Sequence, residues 1–571
     1  MITFIKRYLF NQKMPFKKEI VKLIAKYTDV EDETINELLE VPPDLSLGDY
    51  AFPCFFLAKE KKQDPVKIAK ELGKKIKSTK LISKIEVKGP YLNFFIDKVA
   101  FAKHVLTEKP EITKKKGTIM IEFSQPNTNK PQHLGHIRND LLGMSLSKVL
   151  EWVGYKVIKV NLINDRGIHI CKSMLAYQKW GKNQEPDIKT DHFVGKFYVM
   201  YSKEAKLHPE LEEEAKELLK KWEADDKEIL ELWKKMTNWC VKGFEQTYKD
   251  LGIEFDKVYY ESQVYKGGKE IILDAFEKGI FEKDKTGAVI ARLEPDLPNK
   301  VLLRADGTSL YITQDINLAI QKFKDYKLDK SVYVVGSEQE LYFKQLFAIL
   351  DMLGHYGVEK CYHLSYGMVY LPEGKMKSRE GTVVDADDII KEVKDLARQE
   401  LKKRYKDITE EELDKRTEQI GLGALKFMML KIDPKRDMNY DPEESISFEG
   451  ETGPYLQYSH ARICSILRKN ESEIAKNIDF SLLNKKVEIT LINKLFMYKQ
   501  VVQDAAEQYK PSLIARYLLD LTQLFNEFYH SCPVLKAEEK LKQARLLLID
   551  KTKDIIKDGL LLLCIEAPEK M

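Results

Sequence analysis

Paired cysteines are missing from this sequence. The seven present, Cys54, Cys171, Cys240, Cys361, Cys464, Cys532 and Cys564, are odd in number, widely scattered and never spaced as C-x-x-C. That excludes a disulfide framework or a zinc knuckle and fits a reducing, cytoplasmic setting. Long apolar runs are missing too. None approaches the roughly twenty residues a membrane span needs, so no membrane association is expected. The N-terminal stretch MITFIKRYLFNQKMP has neither a continuous apolar core nor a small-residue cleavage site, which argues against a secretory signal. Met14 lies just before the first convincing helix, so residues 1–15 read as a leader expected to lack fixed structure, or as residues preceding a true start at Met14. Repeats and low-complexity tracts are absent. So is a strong charge of one sign: 94 Lys and Arg stand against 90 Asp and Glu, a net charge of +4. This balance neither demands nor excludes nucleic acid. Clusters such as KEKK at 59–62, KKIK at 74–77 and KKK at 114–116 could meet phosphates or simply solvate a helix face or linker.

What is present describes a well-folded chain, 43% hydrophobic and 32% charged. Its 571 residues are too many for one core and imply about three or four domains. Residues 16–108 read as a small α+β module. FKKEIVKLIAKY has helical spacing, a second amphipathic helix falls near 65–78, and KIEVKGPYLNFFI reads as two strands around Gly89-Pro90. KPEITKKKG resembles a linker. TIMIEF at 118–123 is a continuous apolar strand suited to a parallel sheet, and YKVIKVNLIND at 155–165 is the next strand, with a long helix between. Strand, helix, strand at this spacing opens a doubly wound, Rossmann-like parallel sheet, assigned here to 116–385 with a charged helical insertion at about 180–250. Further strands are expected at 288–293, 301–307, 330–336 and 361–371. Almost everything beyond is helical, read as a connecting region, 386–445, and an all-α C-terminal domain, 446–571.

The stretch KPQHLGHIRND, residues 130–140, raises the sharpest question. His133 and His136 flank Gly135 at the mouth of a helix, outside the carboxyl end of the first strand, where open α/β sheets bind ligands and where a helix N-terminus favours anions. Two imidazoles at i and i+3 share a face and can donate to a polyphosphate, while Gly135 lets a flat base approach the backbone. The alternative is that His133 only caps the helix and His136 only packs.

The surrounding EFSQPNTNKPQHLGHIRND resembles the HIGH signature of class I aminoacyl-tRNA synthetases, and its lead-in is similar to the arginyl-tRNA synthetase family in particular. GKMKSREGTVV at 374–384 resembles that family's KMSKS loop, whose cations neutralise charge on departing phosphates. Lys375 is its best candidate, with Lys377 and Arg379 beside it. Ser378 stands where the final lysine of the motif would fall. The resemblance implies that Lys130, just before HIGH, compensates. It also implies that Tyr311 and Asp315, i and i+4 in RADGTSLYITQDINLAI, read a guanidinium, while Glu122, Asn127 and Gln339 hold the rest of the amino acid. The bland reading is that Asp315 favours a helix's first turn and Tyr311 packs. YHLSYGMV resembles the strand that meets adenine, making Gly367, Met368 and Val369 candidates for backbone contacts.

GETGPYLQYSHARICSIL at 450–467 resembles the start of the arginyl-type anticodon-binding bundle. Tyr455, Tyr458 and Tyr529 could stack on unpaired bases or pack as core. The resemblance adds Met571, near the anticodon loop, and Asn93, in a module expected to reach the D-loop. It implies ATP and Mg²⁺ carried with the nucleotide, no dedicated metal site, and L-arginine and tRNA(Arg) as partners of a monomeric ligase. It further implies an activation step that needs bound tRNA. Editing is chemically unnecessary, since a guanidinium is well distinguished. Another class I specificity should lack the Tyr311/Asp315 pair and the GPYLQY helix. A non-catalytic tRNA-binding paralogue should lose the phosphate ligands, and a small adenylyltransferase would not need the helical end.

Overall fold

The computed structural model describes residues 15–42, 44–108, 115–265, 267–355, 357–370, 384–470 and 473–571. The leader expected at 1–15 lies outside them except for Pro15. The chain divides into two compact units. One joins the N-terminal residues through Glu111 to Arg462–Val501 and Asp520–Ile556; the other comprises Ile112–Ala461, Val502–Leu519 and Lys557–Met571. The C-terminal helices are therefore shared between the units.

In the first unit, β1 (Tyr50–Pro53), β2 (Ile82–Lys88) and β3 (Tyr91–Ile96) form an antiparallel sheet in the order β1-β3-β2. Gly89, at φ +58°, supplies the left-handed residue that the β2–β3 turn needs. The helical stretch expected over 16–40 is two helices, Pro15–Ala25 and Asp32–Leu38. Phe16, Ile20 and Ile24 recur every four residues on the first and are fully buried with Phe52, Leu92 and Phe94 of the sheet. Asp64 caps the helix Pro65–Lys75 by accepting from the Val66 N–H. In the C-terminal part of this unit, Arg545 donates to Glu488 at 2.8 Å, both side chains buried.

The second unit is built on the parallel sheet expected from the sequence. Its strands are β4 (Thr118–Glu122), β5 (Lys156–Ile163), β6 (Lys257–Tyr260), then, past a small separate sheet, β10 (Lys330–Gly336) and β11 (Cys361–Tyr366), in the order β11-β10-β4-β5-β6. The strands expected at 288–293 and 301–307 do exist but are not part of it. As β8 (Val289–Ala291) and β9 (Lys300–Leu303) they join β7 (Glu282–Lys283) in an antiparallel sheet of their own. Short β12 (Val369–Tyr370) pairs with β13 (Met438–Asn439). The insertion folds as helices Thr190–Glu204, Leu211–Glu223 and Lys227–Leu251.

β4 leads into the helix Leu134–Trp152 and on to β5, while β10 leads into Glu340–Met352 and on to its other neighbour, β11. The chain thus turns opposite ways from two adjacent strands. That switch point leaves a crevice beyond their carboxyl ends.

Candidate active site

The switch-point crevice opens with an unusual backbone. Ser124 and Gln125, directly after β4, both have positive φ, +80° and +46°. Non-glycine residues rarely adopt this region, so the surroundings must hold it. They do: Asn139 accepts from the Ser124 N–H at 2.7 Å, and Asn161 from the Gln125 N–H at 3.1 Å. Asn139 also donates to the Val334 carbonyl of β10 at 2.9 Å, so the signature helix is tied to both central strands.

His133 is the N-cap of that helix. Its Nδ1 accepts from the Gly135 N–H at 3.1 Å, and the Nδ1 of His136 accepts from the His133 N–H at 3.2 Å. The two readings of HLGH, cap and ligand, are thus compatible: each ring spends its Nδ1 on the backbone and keeps the proton on Nε2. Burial, with the Lys130 charge adding to it, pushes His133 down to about 3. His136 is driven well below its usual value by burial, His133 and Lys130. Both rings are therefore neutral single donors, not imidazolium ions. Gly135 lines the cavity beside the rings, and it also leaves room for the cap: a Cβ there would lie only 3.0 Å from the His133 ring.

These rings line a cavity of about 440 Å³ with Gln125, Asn139, Gly336, Gln339, Tyr366, Met368 and Val369. Its far wall is fixed by Arg138, fully buried one turn into the signature helix. Among the described residues the guanidinium has no carboxylate partner within bonding distance; it donates to the carbonyls of Gly367 at 2.5 Å, Arg436 at 2.8 Å and Pro434 at 3.3 Å. Of the three backbone candidates here, Gly367 gives its N–H to Pro434 and Met368 gives its N–H to the Asp437 carboxylate. Met438 and Tyr440 donate to the carbonyls of Met368 and Tyr370. Those ladder bonds flank Val369, whose own N–H and C=O therefore point away from β13.

Gln125, Val335 and Gln339 also line a second cavity, of about 210 Å³, so the two share a wall. Its charged lining residues are Glu122, Asp315 and Lys322. The Tyr342 hydroxyl donates to Asp315. Burial raises Asp315 to about 6, with that hydrogen bond opposing the rise, so it is ionised at neutral pH. Lys322 Nζ bonds Glu122, the two side chains being 1% and 6% exposed. Glu261 is pushed up to about 7 chiefly by burial, and the nearby Asp315 charge adds to the rise. Of the five residues expected to hold the amino acid, Glu122, Asp315 and Gln339 line this cavity. Tyr311 does not: at the first position of its helix it is 64% exposed, with Gly167 near its hydroxyl. Asn127 is exposed and bridges to Asn164, whose side chain does line the cavity.

The segment ending the KMSKS-like stretch is stitched to the signature. Leu134 donates to the Val384 carbonyl at 3.3 Å and Ala386 to the Gln132 carbonyl at 2.9 Å, so His133 and Asp385 pair as an isolated antiparallel bridge. From the insertion, His192 Nε2 contacts Asp387 at 2.6 Å, and Lys189 donates to the same carboxylate oxygen at 2.6 Å. Lys189 also reaches the buried Asp191 at 3.4 Å. Asp191, His192 and Asp387 lie close enough to hold a cation, but the Lys189 ammonium already bonds both carboxylates. Lys375, Lys377 and Arg379 lie outside the described residues.

Elsewhere, Asn93 is buried at 4% exposure on the central strand of its sheet, so its side chain is not offered to a surface partner. Tyr455 and Tyr458 are half-buried, Tyr458 edge-on to Phe448. Met571 packs against the cluster around Leu401, Leu413 and Ile420. Tyr529 is 39% exposed, with the Arg462 guanidinium 5.3 Å from its ring centre. Among the described residues no helix is long and apolar enough to cross a membrane.

Residues 100–442 match the model of the class I (R) tRNA synthetase catalytic domain, which gives the class to which this sheet and its paired cavities belong. On either side, residues 14–96 match the arginyl tRNA synthetase N terminal domain and 456–571 the DALR anticodon binding domain. An arginine–tRNA ligase of Treponema denticola is 46% identical over 94% of this chain and 95% of its own. One from Parabacteroides distasonis is 43% identical over 89% and 91%. The structure of Thermus thermophilus arginyl-tRNA synthetase superposes with a TM-score of 0.77 at 27% identity, covering 97% of this chain and 99% of that one. The chain belongs to the arginyl-tRNA synthetase family.

Proposed function

We propose that the two cavities carry out the first half of arginyl-tRNA synthesis between them, ATP in the larger and L-arginine in the smaller, with tRNA(Arg) accepting the product. The observation carrying this reading is the shared wall. Gln125, Val335 and Gln339 adjoin both a pair of imidazole donors at a helix N-terminus and a buried carboxylate suited to a guanidinium. An arginine whose guanidinium meets Asp315 has its carboxylate directed toward that wall. There it attacks the α-phosphorus of ATP; a P–O bond forms, the bond to the β-phosphate bridge breaks, and pyrophosphate leaves. The terminal ribose hydroxyl of tRNA then attacks the arginyl carbonyl, AMP departs, and the hydroxyl proton passes to solvent.

Phosphoryl chemistry of this kind depends on positioning and charge stabilisation. His133 and His136 each supply one Nε2–H to phosphate oxygens, and Lys130 adds a cation close enough to depress both rings. Lys375, Lys377 and Arg379 complete the cationic side. Val369 is the backbone reader of adenine, with Gly367 and Met368 held behind it. Magnesium would be held chiefly by the nucleotide's own phosphates, Glu338 being the one carboxylate lining the larger cavity among the described residues. Bound so, it would neutralise charge on the leaving pyrophosphate. Tyr455, Tyr458, Tyr529 and Met571 are proposed tRNA contacts, Tyr529 being the exposed one of these three tyrosines. The buried Asn93 would act by shaping its sheet. The enzyme is proposed to be cytoplasmic and monomeric.

The test is pyrophosphate exchange into ATP with each of the twenty amino acids, with and without tRNA. Exchange with arginine alone, dependent on tRNA, supports the whole reading. No exchange with any amino acid, alongside measurable tRNA binding, would leave a tRNA-binding paralogue.

A further inference from the structure

Lys322 has no role in the scheme above. Its neighbours Lys324 and Lys327 sit on the outer part of the same helix region, yet Lys322 is 1% exposed and projects into the lining of the smaller cavity. Its ammonium bonds Glu122 and lies 5.1 Å from the Tyr333 ring centre and 5.6 Å from that of Tyr259. The other Glu122 oxygen faces the Gln125 amide at 3.4 Å. Burying a lysine is costly unless its charge is paired, and Glu122 is the partner here.

Counting charge gives the buried lysine a purpose. Burial pulls Lys322 down to about 7, and the bonded Glu122 carboxylate favours its charged form. With that pair ionised, the lining carries two carboxylates, Glu122 and Asp315, and one ammonium, Lys322, leaving one unit of negative charge. Zwitterionic arginine carries a guanidinium, an α-ammonium and a carboxylate, leaving one unit of positive charge. Without Lys322 the cavity would hold two uncompensated negative charges. It would then suit a dication, such as an arginine derivative that has lost its carboxylate and cannot be activated. Among side chains as buried as Lys322 and Glu122 an unmatched charge is expensive, so net charge can discriminate between ligands with the same side chain.

We infer that Lys322 is a specificity-determining residue, whose ammonium sets the cavity's net charge to match an amino acid with its carboxylate intact and to disfavour decarboxylated dications. This rests on the smaller cavity being the arginine site. A positively charged residue among the ligands of a cationic substrate then has a reason: it excludes ligands that are too positive.

The experiment measures dissociation constants of arginine and of agmatine, which is arginine without its carboxylate, by titration calorimetry on the full chain. The ratio of the two cancels contacts to the amine and guanidinium that both ligands share. Lys322→Met should lower the agmatine-to-arginine ratio by about tenfold or more, the scale of one poorly screened charge. Glu122→Gln, with Lys322 retained, should move the ratio the opposite way. Lys322→Arg, and the double change Lys322→Met with Glu122→Gln, should restore it toward that of the unaltered protein. If Lys322→Met does not fold, Glu122→Gln and the double variant still carry opposite predictions. An unchanged ratio in folded single variants overturns the inference. Failure of the unaltered protein to bind arginine at all would instead overturn the assignment of the cavity.

Discussion

The two histidines of the larger cavity donate as neutral groups, whereas the smaller cavity is lined by ionisable side chains, although the two share a wall. In the first, the two histidines lose their charge through burial and donate as neutral rings, and the strand beside them is held by backbone bonds from Arg138. In the second, Asp315 stands beside the buried Glu122–Lys322 pair, whose contact offsets the burial that pulls Lys322 down to about 7. The difference follows the ligands. A polyphosphate brings excess negative charge and its own counter-ion, so it needs several directional donors. A guanidinium has one charge and a fixed planar fork, so a single well-placed carboxylate decides its fate.

Breaking the charged side should cost most. Asp315→Asn removes the guanidinium's charged partner, and loss of one member of a buried charged pair costs about 2–5 kcal/mol, a fall of roughly thirtyfold to several thousandfold in kcat/KM for arginine. The KM for ATP should stay nearly constant, as initial rates of exchange will show. Breaking the neutral side should cost less. His136→Ala removes one donor and should lower kcat by about a hundredfold or more, the usual scale for a single such donor. His133→Asn separates the two duties of that residue. Asparagine is a good N-cap and should preserve the melting temperature, while the Nε2–H is gone and kcat still falls.

Acid should sharpen the contrast. Asp315 is raised toward 6 by burial, so it protonates as pH falls through about 6, and the KM for arginine should climb about tenfold per unit below that point. The ATP side should respond less, because rings already neutral at pH 7 stay so down to far lower pH. For stability the same shift has the opposite sense. A carboxyl whose folded value is raised favours the folded state at low pH, and that contribution is lost as pH rises through 6. Saturating arginine should therefore raise the melting temperature more at pH 7.5 than at pH 5.5.

The smallest effect is expected at His192, which touches neither ligand. His192→Ala should reduce kcat only severalfold, by loosening Asp387 and with it the segment bridged to His133, a surface-type ion pair being worth about 1 kcal/mol or less. Its hydrogen bond to Asp387 raises the His192 value. The stability it contributes is thus complete below the unfolded value and is lost as pH rises through the folded one. Thermal melts of the two proteins should converge at alkaline pH.

The larger cavity was mostly legible in the sequence because its donors come from one short stretch whose cap geometry is local. The histidines' charge state was not legible, since burial comes from distant elements. The smaller cavity was legible only in part. Asp315 and Gln339 stand out by resemblance, but Lys322 lies in QKFKDYK, where every lysine reads as solvent-facing, and Tyr342 reads as one more apolar position on a helix. Tyr311 and Asn127 match the family's pattern in sequence, but their exposure depends on packing that the sequence does not show. Asn93 was named by resemblance alone, and its burial follows from its place on the central strand, which only the sheet order reveals. The β7–β9 strands were found, but their alternation does not say which sheet they join.

The capping of the signature helix has a consequence for the movement of hydrogen. Both Nδ1 atoms accept backbone protons and both Nε2 atoms already carry one, so neither ring can take a proton from anything that binds beside it. The first half-reaction has none to give, its nucleophile being an ionised carboxylate. Activation should accordingly run at the same rate in heavy water as in light water. An isotope effect should emerge only in the transfer to tRNA, where a hydroxyl must surrender its hydrogen.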